Sequence, residues 1–195
     1  MSSAVTSRTR ILPDSRTILI WWSSLLVAIV LACGTARATP ELGAFVGRYT
    51  GEAEVEQLDG SIEERDLSVT IAESYKGFVV EWSTAIRRAD GREKTKSYKI
   101  EFIPSEREGV FAAAMQTNVF GHTVQMNPMK GEPFVWARII GDTLTVFSLH
   151  VAENGDYLMQ QYDRTLAEGG LTLEFSLHRN GLPSHTVETF LSRAP

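Results

Sequence analysis

The stretch Phe78-Val79-Val80-Glu81-Trp82-Ser83-Thr84-Ala85-Ile86 decides the fold class. Its side chains alternate, so that Phe78, Val80 and Trp82 share one face while Glu81 and Ser83 share the other. Because successive side chains of a β-strand point to opposite faces of the sheet, this alternation predicts a strand with one buried and one wet face.

The same alternation recurs on both sides of this stretch, and turn dipeptides separate the repeats. Asp59-Gly60, Asp90-Gly91, Asn154-Gly155 and Asn180-Gly181 are typical of two-residue hairpin turns, in which both central residues need positive φ. The intervals leave no room for helical crossovers, so we expect antiparallel strands. The predicted strands cover residues 45–57, 62–74, 77–88, 95–105, 109–116, 119–126, 133–140, 143–151, 156–165 and 170–179, with an eleventh piece at 184–193.

A flat sheet of about ten strands would expose two long edges, and closure into a barrel removes them. Hairpin dipeptides at nearly every junction favour a meander over the long crossovers of a two-sheet sandwich, which is the competing architecture. The sequence therefore predicts an all-β protein, an antiparallel up-and-down β-barrel of about 8–10 strands. The segment from Thr117 to Pro133 breaks the pattern and is predicted to form a long loop at one mouth of the barrel.

Residues 1–38 have the three parts of a secretion signal. Basic residues precede an uncharged apolar run from Ile18 to Ala32, and Ala36-Arg37-Ala38 supplies the small residues of a cleavage site. The run is shorter than the ~20 residues of a membrane span, and an uncleaved anchor is the alternative. We expect export to the periplasm or cell envelope, or secretion, with residues 39–195 as a single β-barrel domain.

Cys33 offers a second processing route. Ile29-Val30-Leu31-Ala32-Cys33-Gly34 resembles a bacterial lipoprotein box, in which the cysteine is acylated; otherwise Cys33 is a small apolar residue of the signal. It is the only cysteine, so the domain that remains after cleavage has no disulfide and no thiolate. Contact with a membrane is expected only through the signal or such a lipid anchor.

The charge of the chain excludes one class of partner. Residues 1–38 hold four of the 19 Lys and Arg and one of the 24 Asp and Glu, which leaves 15 basic and 23 acidic residues and a net charge of −8. An acidic domain without a basic stripe is poorly suited to binding nucleic acid. Such a charge is typical of a protein that must stay soluble after export.

The start of the first predicted strand carries a family resemblance. Gly47-Arg48-Tyr49-Thr50-Gly51 is similar to the Gly-x-Trp opening of lipocalins, and with the predicted barrel it makes the chain resemble the calycin superfamily of lipocalins, fatty-acid-binding proteins and avidins. The resemblance implies that Tyr49 closes the barrel floor and that Arg193, from the last strand, covers it. It also implies binding of a small apolar or amphipathic molecule. The chain departs from lipocalins in having Tyr for Trp and in lacking their middle motif.

The apolar faces of the strands supply the candidate ligand contacts. Four aromatic residues are expected to form the inner wall, either as a filled core or as the lining of a cavity: Phe78, Trp82, Tyr98 and Phe102. Trp136 and Arg138 share one face of a later strand. If that face is inward, the arginine would anchor a carboxylate or phosphate headgroup; if it is outward, both residues lie on the surface.

Catalytic and metal-binding motifs are not legible in the sequence. The four histidines have no spacing that predicts a metal site: His122, His150, His178 and His185. No cofactor is expected, with haem beside an inward His150 as the alternative. The absence of a nucleophile elbow or a zinc-protease motif favours a non-enzymatic role. An enzyme whose site is assembled from distant strands is an alternative that ranks below the two functions described next.

Two functions follow from these patterns. The first is an exported, non-enzymatic barrel that binds a small amphipathic or apolar molecule. The alternative is a structural or interaction protein of the cell envelope with a filled barrel. Its working surface would be the 117–133 loop or strand 143–151, which is apolar on both faces and needs cover from a loop or from a second subunit in a homodimer.

Overall fold

The computed structural model describes residues 42–56, 60–87, 91–117, 123–124 and 126–195. The predicted secretion signal and Cys33 lie outside these residues. Within them, only Leu42–Ala44 and Pro128–Lys130 are helical, each as a short 3-10 turn. No helix in the described ranges has the length and hydropathy of a membrane span.

The described chain is built almost entirely of β-strands. Their bounds are β1 (Gly47–Glu56), β2 (Ile62–Glu73), β3 (Phe78–Arg87), β4 (Glu93–Pro104), β5 (Val110–Ala113), β6 (Gln116–Thr117), β7 (Thr123–Val124), β8 (Phe134–Ile140), β9 (Thr143–Val151), β10 (Tyr157–Ala167), β11 (Gly170–Arg179) and β12 (Leu182–Arg193). All except β6 and β7 close into one antiparallel up-and-down barrel, in which β12 pairs with β1 and β5 pairs with β8. The predicted fold class is confirmed, and the eleventh predicted piece is the closing strand.

One predicted strand does not belong to the barrel. Residues 118–122 and 125 lie outside the described part, and the described portion of the strand expected at 119–126 is β7. It pairs with β6 in a separate two-stranded sheet. β6 and β7 thus pair with each other and not with the barrel strands.

The barrel has two ends that differ in packing. One end, which we call the floor half, contains the start of β1, the end of β12 and the turns at 74–77, 105–109, 141–142 and 168–169. The other end, the mouth half, contains the long connection from β5 to β8 and the turn at 180–181. The floor half contains the large apolar side chains that are almost completely buried, with 0–1% exposure: Phe45, Tyr49, Ile71, Phe78, Phe102, Leu144, Leu171 and Leu191.

The barrel closes along a short seam between β1 and β12. Two register pairs join these strands, Tyr49 with Arg193 and Thr50 with Ser192, and the Thr189 hydroxyl donates to the carbonyl oxygen of Glu52 at 2.6 Å. Gly51 permits the close approach, since a Cβ at this position would lie 2.5 Å from the carbonyl oxygen of Phe190. The seam holds the first and last strands together near the floor.

Candidate functional site

Tyr49 and Arg193 meet at the floor of the barrel. The Tyr49 hydroxyl donates to the carbonyl oxygen of Phe45 at 2.8 Å and accepts from the Arg193 guanidinium at 2.8 Å. The same guanidinium donates to the carbonyl oxygens of Ala44 at 3.0 Å and Val46 at 3.1 Å, and its carbon lies 5.1 Å from the centroid of the Tyr49 ring. The Tyr49 hydroxyl and the Arg193 guanidinium thus both have partners within the fold.

Above this closure, aromatic rings fill the floor half. Phe78 and Phe102 are fully buried and stack with centroids 5.2 Å apart, and Phe111 meets Phe78 edge-on at 4.9 Å. Neither Phe78 nor Phe102 lines a cavity described below. Both rings face inward and pack in the core, and their contact with a ligand stays a prediction.

The mouth half is hollow and contains two adjoining cavities. The first has a volume of about 200 Å³, and we call it the cationic cavity because Arg65, Lys96 and Arg164 line it. The second has a volume of about 440 Å³, and we call it the apolar cavity for its apolar side chains: Ile100, Met115, Pro133, Val135, Val146 and Leu158. Four residues line both cavities and form the boundary between them: Trp82, Tyr98, Gln160 and Tyr162.

Arg164 is the most unusual residue of the cationic cavity. It lies on β10 between Leu144 of β9 and Leu173 of β11, and it is only 1% exposed. Its Nε and Nη1 atoms are buried and have no hydrogen-bond partner. Burial lowers the pKa of this guanidinium to about 10, so the group remains charged at neutral pH. A buried, charged side chain with unused donors is costly to the fold, since ions lose their hydration on burial.

Aromatic rings surround the Arg164 guanidinium in place of carboxylates. Its carbon lies 5.7 Å from the centroid of Trp82 and 5.5 Å from that of Tyr162. Cation–π attraction offsets part of the desolvation cost, but it leaves the N–H donors unpaired. Burial also raises the pKa of Tyr162 to about 12, so its hydroxyl is neutral and able to donate at physiological pH.

Tyr98 lines both cavities and is itself open to the solvent. It stacks on Trp82 with centroids 5.2 Å apart, yet it is 50% exposed. Trp82, by contrast, is only 9% exposed. Its ring also packs against Tyr162, with the two ring centroids 5.6 Å apart. Of the four aromatic residues predicted to face a ligand, these two line the cavities and the two phenylalanines do not.

The apolar cavity extends from the aromatic boundary to the connection between β5 and β8. Pro133 and Gly131 of that connection line it, as does Met115. Ser148 and His150 add polar groups to the wall on β9. Among the described residues, no group of three or more His, Cys, Asp and Glu side chains is placed to hold a metal ion.

Trp136 and Arg138 lie on the outer face of β8. Val135, Ala137 and Ile139 take the buried positions between them, so the alternation turns Trp136 and Arg138 outward. Trp136 stacks on Phe147 of β9 at 4.8 Å, and the Arg138 guanidinium lies 5.2 Å from the same ring. The outward alternative of the sequence analysis thus describes their orientation, and a role of these two residues in ligand binding stays a prediction.

Comparison with known proteins adds no family. No protein-family model matches the chain, and no curated protein matches it significantly. The ten-stranded antiparallel barrel is compatible with a calycin-like fold, and membership of the lipocalin superfamily stays a prediction. The candidate site therefore stands on the geometry of the mouth half alone.

Sequence reasoning missed Arg164, although a signal for it exists. The hairpin at Gly169-Gly170 pairs Arg164 with Leu173, and the alternation along β11 assigns Leu173 to the interior. Applying this register to β10 would have placed Arg164 inside the barrel. The same reasoning places Tyr162 opposite Phe175, at a centroid distance of 4.8 Å.

Proposed function

We propose that this protein is an exported, non-enzymatic binding protein that takes a small amphipathic acid into the mouth half of its barrel. The acidic head lies in the cationic cavity on Arg164, and the apolar tail lies in the apolar cavity. Carriage or sequestration of such a molecule is the function that this site supports best.

The unpartnered donors of Arg164 carry the proposal. A guanidinium presents N–H groups in a planar fork that matches a carboxylate, and such charge-assisted pairs are stronger than neutral hydrogen bonds. Arg164 has two buried nitrogen atoms without partners, and it lines the cationic cavity. A carboxylate that entered the cavity would supply the missing acceptors and counter-charge. The neutral Tyr162 hydroxyl on the cavity wall donates to Gln160 Oε1 at a long 3.4 Å, and it can turn to the same head as a second donor.

The size and lining of the two cavities support an amphipathic ligand over a wholly polar one. Their volumes are about 200 and 440 Å³, so the larger cavity lies within the range of roughly 300–1,000 Å³ that small-molecule sites cover, and the smaller one adjoins it. Ile100, Val135 and Val146 present hydrocarbon to the larger cavity. Burial of an alkyl tail against them contributes about 0.8 kcal/mol for each methylene group.

The proposed setting is the bacterial envelope or the medium outside it. The signal features of residues 1–38 support export, and the lipoprotein box around Cys33 supports a tethered form as the alternative. Mass spectrometry of the protein recovered from an expressing bacterium distinguishes these routes. Cleavage after Ala38 leaves an unmodified N-terminus, whereas the lipoprotein route leaves an acylated Cys33.

Calorimetric titration with dodecanoate and dodecanol tests the binding function. The two probes share a tail, so their difference reports the acidic head. We expect the purified protein to bind dodecanoate about 10–100-fold more tightly, as a hydrogen bond to a charged group contributes about 1.5–3 kcal/mol. Arg164→Met should abolish this preference, while Arg138→Met, which removes an equal charge from the outer face, should retain it.

Two results would contradict the proposal. One is the absence of binding for both probes. The other is an Arg164→Met variant that binds dodecanoate as tightly as the unmodified protein, because the head would then lie elsewhere.

A second candidate function is an interaction through the outer face of β8 and β9. The stacked pair of Trp136 and Phe147, with Phe134 at 5.6 Å from Trp136, gives this face an aromatic cluster. A second copy of the chain is the partner that the sequence analysis suggests. Sedimentation equilibrium tests it: a dimer that Phe147→Lys converts to monomers supports the interaction, and a strict monomer excludes this homodimer.

A further inference from the structure

We infer that the ligand is an amphipathic diacid, with one acidic group on Arg164 and a second on Lys96 at the rim of the cationic cavity. This inference rests on the proposed function and narrows it from acids in general to molecules whose head carries two negative charges. It follows from the charges that line the cavity, from their pairing and from their positions on the strands.

The side chains that line the cationic cavity carry charge opposite in sign to the net charge of the chain. The full sequence has a net charge of −5, yet three cationic side chains and no carboxylate are among the described residues that line this cavity. Cations placed close together in one enclosure repel each other unless anions are supplied. The lining therefore calls for more than one negative charge from a ligand, unless internal pairs neutralise the cations.

Internal pairing accounts for only one of the three cations. The Arg65 guanidinium donates twice to one carboxylate oxygen of Glu63, at 2.7 and 3.1 Å, so its charge is compensated within the fold. No carboxylate in the described residues forms an ion pair with Lys96. Lys99, on the opposite face of the same strand, lies 3.4 Å from Glu81. Two cations without an ion pair among the described residues remain at the cavity, the buried Arg164 and the exposed Lys96.

Lys96 on β4 and Arg164 on β10 lie on opposite walls of the barrel, and both line the cationic cavity. Trp82 pairs with Tyr98, and Thr84 pairs with Lys96, so Lys96 lies one inward position closer to the mouth than Tyr98. Two residues of a strand span roughly 6.6 Å. Arg164 lies over Trp82, below this level. A head with two acidic groups can contact a cation on each wall of the cavity, whereas a single carboxylate on Arg164 leaves Lys96 without an acidic partner.

Acylated amino acids supply a matched pair of probes. N-dodecanoyl-glutamate and N-dodecanoyl-glutamine have the same tail and the same α-carboxylate, and they differ only in the charge of the side chain. We expect the purified protein to bind the glutamate compound about fivefold more tightly, because an exposed ion pair contributes up to about 1 kcal/mol. Raising the salt concentration should reduce this preference, since exposed charges are screened.

Lys96→Met should make the two probes equal in affinity, whereas Lys99→Met, which removes the same charge from the outer face, should preserve the preference. Equal binding of both probes by the unmodified protein overturns the diacid inference and leaves the proposed function standing. Failure of both probes and of dodecanoate to bind overturns both. A preference that survives Lys96→Met also contradicts the inference, because the second charge would then be recognised by another group.

Discussion

The floor half and the mouth half of this barrel are built from the same strands but differ in what fills them. In the floor half, Phe78 and Phe102 stack without exposed surface. In the mouth half, Tyr98 also faces inward, yet half of its surface is exposed beside the cavities. Alternation along a strand thus determines which side chains face inward, whereas their size and polarity determine whether the interior is solid.

The buried polar groups of the two halves show the same contrast. The Tyr49 hydroxyl both donates and accepts within the floor, so its hydrogen-bonding capacity is used by the fold. Arg164 leaves two buried nitrogen atoms unpaired in the mouth half. Buried polar groups are nearly always satisfied in native proteins, and the exceptions concentrate at functional sites. The polar groups of the floor therefore contribute to stability, whereas Arg164 in the mouth half costs stability and is the group on which the proposed binding depends.

The largest expected effect comes from opening a hole in the floor. Phe102→Ala should destabilise the protein by about 3–5 kcal/mol, because a fully buried ring is lost and a cavity remains beside Phe78. Urea denaturation measures the change. Tyr98→Ala is the matched change in the mouth half, and we expect it to cost less than about 1 kcal/mol, since half of that ring is exposed. Equal losses for both variants would contradict the division into two halves.

The sequence predicts the wall of this barrel better than its interior. Period-two alternation and turn dipeptides are local signals, and they suffice for antiparallel strands and closure. The turn at Asn180-Gly181 has φ of 50° and 80°, as its dipeptide predicts. Whether Trp136 and Arg138 face inward depends on how β8 pairs with β5 and β9. A local sequence pattern does not contain this pairing.

The candidate site was harder to predict because it depends on distant strands. Arg164 comes into contact with Trp82 only when β3 and β10 face each other across the closed barrel. The alternation indicates that Trp82 is inward, but it does not indicate that an arginine lies over it. That information requires the register of β10 against β11, and it also requires closure of the whole sheet.

A smaller effect of opposite sign is expected in the mouth half. Arg164→Met should stabilise the protein without ligand by about 1–2 kcal/mol, because an apolar side chain replaces a buried charge that lacks a counter-ion. The same change removes the proposed anchor for the ligand head. Urea denaturation of both forms measures the gain. A loss of more than about 1 kcal/mol would mean that the contacts of Arg164 with Trp82 and Tyr162 hold the barrel together.

The smallest expected effect is a pH dependence that separates two neighbours in the mouth half. The pKa of Tyr162 is raised from 10.0 to about 12, so its contribution to stability is present below about pH 10 and is lost as the pH rises through about 12. The pKa of Arg164 is lowered from 12.5 to about 10, so the penalty of its buried charge is relieved as the pH rises above about 10. The two contributions oppose each other between about pH 10 and 12.

Tyr162→Phe removes one of these opposing contributions and leaves the other. The stability of this variant relative to the unmodified protein should therefore rise by about 1 kcal/mol between pH 9 and 11. Urea denaturation at the two pH values provides the measurement, and Tyr157→Phe, at an exposed position on the same strand, is the control. A difference that stays constant with pH would mean that Tyr162 is not desolvated. Water would then reach the interior of the mouth half, and the Arg164 guanidinium would be hydrated. The proposal that Arg164 is a buried anchor for the ligand head would be contradicted.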